Sequence, residues 1–499
     1  MEAFRNEIII GAVLLYMVFC VITGIWAMRR THSSSDFFVA GRGLGPIVVS
    51  LALFSSTLSG FGFVGGPGLV YSSGVSSFWM IVISSTGYAL GFFLVAKRIR
   101  MIASLRNCIS LPDVAVARYG SESVRFLLAV TIVLGVMGYL ATQILAMALV
   151  MQAILSGTET FADIGLVSCV VLSSAVLIFY CVTGGIIASV YTDVVQGAIM
   201  MIAGVLVLFA SIAVFDGGMQ EATSIILADD AEAMMPFGTM GIMAALGWFF
   251  VFGLGLAGQP HLVTKMMMNK NISDNRSILP MSLIGYVLAA LLWIAIGVVM
   301  RAAVLAGVTE PLTLPDDAAA VFLSTFVNPV VAGIVFAGLF AAIMSTADTF
   351  LNIGAAAIIH DIPKAVRGRS LENELFWARV VTLLLAVVAA GFALYSHYQE
   401  DATLVALLGA FGWATFAAGI FPVIAIGLNW KRATAAGAIV AIIASLLINF
   451  IVQLAGISIP YGISGGLVAF VASLVLFIGV SLMTTGRKLD NDIDALMDI

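Results

Sequence analysis

The residues best placed to do chemistry lie in one apolar run, AAIMSTADTFLNIG. At about 100° per residue, Ser345, Thr349, Ala342 and Thr346 fall at about 0°, 40°, 60° and 100°, on one helical arc. Asp348 falls at about −60°, off that arc, and Asn352 at about −20°. Two hydroxyls beside a backbone carbonyl suit a small hard cation, which takes oxygen ligands. Serine and threonine also bond back to their own helix or join neighbouring helices, and spacing does not choose between these readings. Asp193, in ASVYTDVVQG, is a second candidate. It lies about eight residues inside an apolar run, where an acid is costly and by default functional. A structural hydrogen bond to serine or backbone is the alternative. Thr192 and Gln196 flank it on one helical face.

Two further segments could offer backbone groups to a ligand. LALFSSTLSGFGFVGGPGLVY crowds Ser55, Ser56, Thr57, Ser59, Gly60 and Gly62 into its middle, with Gly65, Gly66 and Pro67 after them. GWFFVFGLGLAGQPH contains Gly253, Gly255, Gly258, Gln259 and Pro260. Both have poor helix propensity, and Pro260 restricts Gln259. A helix broken in a bilayer must give each freed backbone group a partner, and transporters use such breaks to line solute and ion sites. Close packing through small residues is the plainer alternative.

The elements that position these residues follow from composition. Of 499 residues, 62 % are apolar and 10 % charged, with 49 glycines, and the mean hydropathy is +1.13. A soluble domain is nearer half apolar and a quarter charged, so a soluble enzyme and a disordered chain are both excluded. Thirteen apolar segments approach the length of a membrane span. Numbered from zero they are 7–28, 45–71, 75–96, 124–155, 162–182, 186–215, 239–267, 278–305, 329–359, 373–396, 403–428, 432–455 and 462–484. The first is long enough to remain a span. Glu2 and Glu7 beside Arg5 are the wrong charge for a signal peptide. Cys20, Cys108, Cys169 and Cys181 suggest neither a disulfide nor a metal pair.

Charge placement orients the chain. Of 22 Lys and Arg, only Arg5 and Arg301 fall outside if the N-terminus is outside, so the expectation is N-out and C-in. The two broken segments are spans 1 and 6, five apart and running in opposite directions, as an inverted repeat of five helices requires. The expected divisions are 1–44, a peripheral helix and loop; 45–215 and 239–428, the two five-helix repeats; 432–484, two peripheral helices; and 485–499, a cytoplasmic tail.

GRGLGP at 41–46, GGPGLVYSSG at 65–74, TGGIIASVYTDVVQG at 183–197, GQPHLVTKMM at 258–267 and AAIMSTADT at 341–349 together resemble the sodium/solute symporter family of proline, pantothenate, monocarboxylate, sialic acid and sugar cotransporters. The resemblance implies an all-α integral membrane protein with thirteen transmembrane helices in the leucine-transporter-type fold. It implies sodium-coupled uptake of a small organic solute by alternating access, with sodium the co-transported ion. By motif, the main sodium site would use carbonyls of Ser55, Leu58 and Ala342 and hydroxyls of Ser345 and Thr346. A second sodium would sit at Asp193 with Ser345, Thr346 and Thr349. The solute would lie between the breaks and face span 3, against Ser56, Ser59, Gly60, Phe63, Gln143, Phe249, Phe252, Leu256 and Gln259. Proline carriers place a Trp and a Tyr before GQPH, where this chain has Phe252 and Leu256. The GGPG segment looks more like pantothenate and monocarboxylate carriers, so a carboxylate-bearing solute is expected. The expected partners are solute, sodium and the lipid bilayer, without nucleic acid. A monomer in the plasma membrane, most simply a bacterial inner membrane, is expected.

All Lys and Arg fall at span ends or in loops, so no basic side chain is expected at mid-depth. A carboxylate there would rest on backbone N–H groups at the broken ends of spans 1 and 6. A neutral solute such as a sugar, or a solute sensor with a separate signalling partner, is the alternative. An enzyme is not expected, because His32, His261, His360 and His397 lack metal spacing. No acid ring or carbonyl filter suggests a channel.

Overall fold

The computed structural model describes residues 4–398, 403–457, 459–460 and 463–498. The chain opens with α1 (Arg5–Met28), α2 (Ser34–Val39), α3 (Pro46–Thr57), α4 (Gly66–Ser73), α5 (Trp79–Gly91), α6 (Lys97–Leu105) and α7 (Leu111–Tyr119). The long α8 (Glu122–Leu155) and α9 (Leu166–Ile212) follow, then α10 (Gly218–Asp229), α11 (Gly241–Trp248), α12 (Pro260–Lys265), α13 (Asn275–Leu305) and α14 (Ala318–Thr325). The remainder is α15 (Pro329–Ala356), α16 (Ile362–Arg367), α17 (Glu374–Tyr398), α18 (Thr403–Phe421), α19 (Ala435–Leu454), α20 (Gly465–Met483) and α21 (Asn491–Met497). Strand pairing among the described residues is confined to one bridge, Leu44 to Asn269.

Ten helices among the described residues are long and apolar enough to cross a membrane, and Pro46–Thr57 and Phe411–Ile426 are shorter apolar helices. This count differs from the thirteen segments read in the sequence because two continuous helical runs, Phe61–Leu105 and Leu166–Ile212, each join two segments, and 403–428 is represented by the shorter Phe411–Ile426. The segments 162–182 and 186–215 run together as the 47 residues of α9. Their junction is Gly185, at φ 55° and ψ −142°, a backbone region closed to residues with a Cβ. A Cβ there would also lie 2.6 Å from Phe37 Cδ2.

Helix starts follow local chemistry. Asn328 caps α15 by accepting a hydrogen bond from Val331 N at 3.0 Å, ahead of Pro329 in the first turn. Such a side-chain acceptor satisfies an N–H that has no partner inside the helix. The centre of the bundle is α15, buried at nearly every residue from Ala332 onward and packed against α1, α3, α8 and α9. By contrast α17 and α20 expose apolar side chains such as Leu384, Val387, Phe392 and Val475. Water would drive such faces together, whereas lipid tails solvate them.

Both expected breaks are present. The helix of α3 stops at Thr57, Leu58 leaves helical geometry at φ −84° and ψ 43°, and a wide π-turn over Phe61–Gly65 leads into α4. After α11 come a π-turn over Phe249–Gly253 and a tight turn over Leu254–Gly258. Gln259 is then extended at φ −75° and ψ 112° before Pro260 starts α12.

Candidate functional site

The hydroxyl arc of α15 faces the end of α3. Ser345 Oγ donates to Ser55 O at 2.9 Å and to Ala342 O at 3.0 Å. Thr346 Oγ1 donates to Ser56 O at 3.0 Å and to Ala342 O at 3.2 Å. Four of the five groups expected around the main sodium therefore meet. The hydroxyls thus bond Ser55 O and Ala342 O, two of the carbonyls expected to hold the ion, and Ser56 O, which was not among them. Leu58, the fifth, is buried and sits where the helix ends, its N–H donating to Phe54 O at 3.3 Å.

Thr349 turns to another partner. Its hydroxyl donates to Ser345 O and to Asp348 Oδ1, each at 3.1 Å. Asp348 faces α9, where Tyr180 Oη donates to Oδ2 at 2.9 Å and Ser189 Oγ to Oδ1 at 2.8 Å. Asp193, expected beside Ser345, Thr346 and Thr349, instead carries a lysine. Lys265 Nζ lies 2.7 Å from Asp193 Oδ2 and 3.1 Å from Ala52 O, and it also donates to Ser56 Oγ. Both side chains are buried, Lys265 1 % exposed and Asp193 fully enclosed.

This corrects the expectation that no basic side chain reaches the interior. Lys265 ends α12 and follows the break at Gln259, and its four-carbon stem carries the ammonium inward to α3 and α9. In the sequence Lys265 stands beside Thr264 in the run HLVTKMMM, near the end of its span, where a lysine reads as an ordinary span-end charge.

Beside the break of α3 lies an open-mouthed cavity, with about 700 Å³ of space when the mouth is included. Among the nine residues expected to face a solute, Ser59, Gln143 and Phe252 line it. Gly60 stands just behind, its N–H donating to Gln143 Oε1 at 2.8 Å. A Cβ on Gly60 would come within 3.1 Å of Gln143 Oε1, Ala146 Cβ and Ile343 Cγ1. Ser56 belongs to the lysine group. Phe63 and Leu256 are core residues, and Phe249 packs edge-on against Phe250. Gln259 Nε2 donates to Trp413 O at 3.2 Å, bracing the wall rather than facing the space. The expectation that backbone N–H groups would hold an anion is corrected at Gly60, whose N–H is already taken by Gln143.

The sequence reading missed the aromatic wall of Tyr139, Tyr286, Trp293 and Trp413. Tyr139 Oη and Ser59 Oγ are 2.8 Å apart, and Trp413 Nε1 donates to Val251 O at 3.0 Å. Gln143 Nε2 and Trp293 Nε1 are buried donors without a partner, a costly state unless a ligand or water completes them.

A network at the basic end of the bundle was also missed. Arg125 Nη1 meets Asp113 and lies 3.5 Å from Asp361 Oδ1, while its Nε donates to Glu122 at 2.7 Å. His360 sets one ring nitrogen 2.9 Å from Asp113 Oδ2 and the other 2.7 Å from Glu374 Oε1. Ligand atoms of Asp113, His360 and Asp361 lie within 4.8 Å of one another, but Arg125 and Lys364 supply the positive charge there. Burial opposes charge on Asp113, yet its bonds to His360 and the nearby Lys364 and Arg125 hold the carboxyl below the usual range.

Residues 37–445 match the Sodium:solute symporter family. The chain is 28 % identical over 450 residues to a sodium/proline symporter of Haemophilus influenzae, covering 87 % of this chain and 86 % of that one. It is 26 % identical over 518 residues to a sodium/proline symporter of Staphylococcus aureus, covering 98 % and 95 %. In fold it resembles a sodium-coupled sialic acid symporter in its substrate-bound outward-open state, with a TM-score of 0.81 at 19 % identity over 97 % of this chain and 99 % of that one. It also resembles Mhp1, a nucleobase-cation-symport-1 transporter, with a TM-score of 0.52 at 16 % identity over 93 % and 98 %. The architecture is the leucine-transporter-type fold, in a multi-pass protein of the plasma membrane with sodium as its co-transported ion. With two broken helices meeting an oxygen-lined helix and the family match running through all three, the chain belongs to the sodium:solute symporter family.

Proposed function

We propose that the chain imports a small organic solute bearing a carboxylate, coupled to sodium and driven by alternating access between 45–215 and 239–428. The observation that carries this reading is the pair of unpartnered buried donors, Gln143 Nε2 and Trp293 Nε1, on residues that line one cavity beside the break of α3. A carboxylate offers two acceptor oxygens, which could complete both donors. Gly60 N–H holds Gln143 by its oxygen, which leaves the amide nitrogen for the solute. Sodium would take the carbonyls of Ser55 and Ala342 with the hydroxyls of Ser345 and Thr346, next to the same break. Ion and solute would then order one irregular segment together, which couples them.

Aromatic surface from Trp293, Trp413, Tyr139 and Tyr286 supports a solute with an apolar body. It also supplies the indole and phenol groups that the positions of Phe252 and Leu256 lack, so proline, an amino acid with a carboxylate, stays within the class. A thermal-shift screen of amino acids including proline, short carboxylates and pantothenate, in sodium and in potassium, tests the reading. The true solute should stabilise the protein in sodium by about 2.7 kcal/mol at a hundredfold excess over its Kd. Its amide should do so far less. An amide that stabilises as well as the acid would replace the carboxylate with a neutral solute.

A further inference from the structure

The interior of the bundle holds two carboxylates and one ammonium near the proposed sodium oxygens. Asp348 receives hydrogen bonds from three hydroxyls, those of Tyr180, Ser189 and Thr349. Both its oxygens accept, which is the pattern of an ionised carboxylate. Asp193 is enclosed and has Lys265 Nζ on Oδ2 at 2.7 Å. The ammonium completes its shell with Ala52 O at 3.1 Å and with Ser56 Oγ. A carboxylate, a carbonyl and a hydroxyl are the ligand types a sodium ion takes. Ser56 also joins this group to the main site, its hydroxyl donating to Ser345 O at 3.0 Å and its carbonyl accepting from Thr346.

We propose that Lys265 is a tethered cation, its ammonium filling the second cation position at Asp193, so that one sodium rather than two binds before the solute. The inference rests on the reading of Ser55, Ala342, Ser345 and Thr346 as the main sodium site. Charge balance gives the number. Asp193, Asp348 and Lys265 sum to a single negative charge, which one sodium neutralises. Before solute binds, two sodium ions would leave an uncompensated positive charge in an apolar interior, where unpaired charge is expensive. Asp193 Oδ1 is buried without a hydrogen-bond partner, so Lys265 on Oδ2 is the cation that answers this carboxylate. Lys265 ends α12, just past one broken segment, and reaches the helix that leads into the other. The tether therefore joins the two broken helices across α9.

The test counts sodium on the purified full chain by equilibrium binding of radioactive sodium, without solute. Wild type should bind one sodium per chain, and Lys265→Arg, which keeps the charge, should also bind one. Lys265→Gln should bind two, because Asp193 is freed for an ion. Asp193→Asn with Lys265→Gln should return to one. Two sodium ions on wild type, or one on folded Lys265→Gln, overturn the proposal. If Lys265→Gln does not fold, the wild-type count and the charge-balanced double variant decide: one each supports the tether, two on either refutes it. Ser345→Ala with Thr346→Ala tests the main site separately. Sodium retained by that variant would sink the main-site reading and leave the count at Asp193 intact.

Discussion

A hydroxyl and a carboxylate three residues apart on α15 have different duties because they face different helices. Ser345 and Thr346 reach the carbonyls that end α3, whereas Asp348 reaches Tyr180 and Ser189 of α9. Replacing both hydroxyls by alanine removes two proposed sodium ligands and four hydrogen bonds. The half-saturating sodium for uptake should rise at least tenfold, about 1.4 kcal/mol, with the protein still folded. Asp348→Asn should change sodium dependence less and stability more. It leaves three hydroxyls facing a weaker acceptor, at a cost of about 1–3 kcal/mol. Sodium titrations of uptake and thermal melts of both variants check this. A larger sodium effect in Asp348→Asn would move the ion from α3 toward α9.

Helices in this chain are shaped by where they stop being helical. α9 turns at Gly185, α3 gives way after Thr57, and α12 starts only after extended Gln259. Gly185 combines a left-handed φ of 55° with Phe37 close enough to meet a Cβ at 2.6 Å. Gly185→Ala should therefore destabilise by about 1–3 kcal/mol from backbone strain, with added cost from displacing Phe37. The loss should appear as a lower melting temperature in detergent. Gly391→Ala is the control, because a Cβ there meets nothing within 4 Å. Equal melting of the two variants would show that α9 does not need this turn.

Across the whole molecule, the network at the basic end ties α7 and α8 to the residues after α15 and to α17. Asp113 is its common partner. Its carboxyl is held below the ordinary range, so its contribution to stability is complete above the unfolded pKa of about 4 and falls as pH drops below it. Wild type should lose melting temperature from about pH 4 downward, and Asp113→Asn should lose less over that window. At pH 7 the variant should already be destabilised by about 3–5 kcal/mol, because Arg125 is left with a weaker buried partner. Melts of both proteins between pH 3 and 7 check the sign. A stability gap that widens as pH falls would contradict it.

The apolar composition and the placement of Lys and Arg determined the class by themselves, since no soluble packing can hide so much apolar surface. Ser, Gly and Pro clusters located both breaks, because helix propensity is a local property. Helical phase put Ser345 and Thr346 on one arc, since that needs only the turn of a single helix. What a side chain meets across the bundle is a different matter. Asp193 and Lys265 are 72 residues apart, and their pairing depends on how α9, α3 and α12 converge. Trp293 and Trp413 reach the cavity from distant helices in the same way. Local sequence sets propensity and phase within an element. Contact between elements is decided by tertiary packing, and there the sequence alone could not show that a lysine at a helix end would become a buried cation.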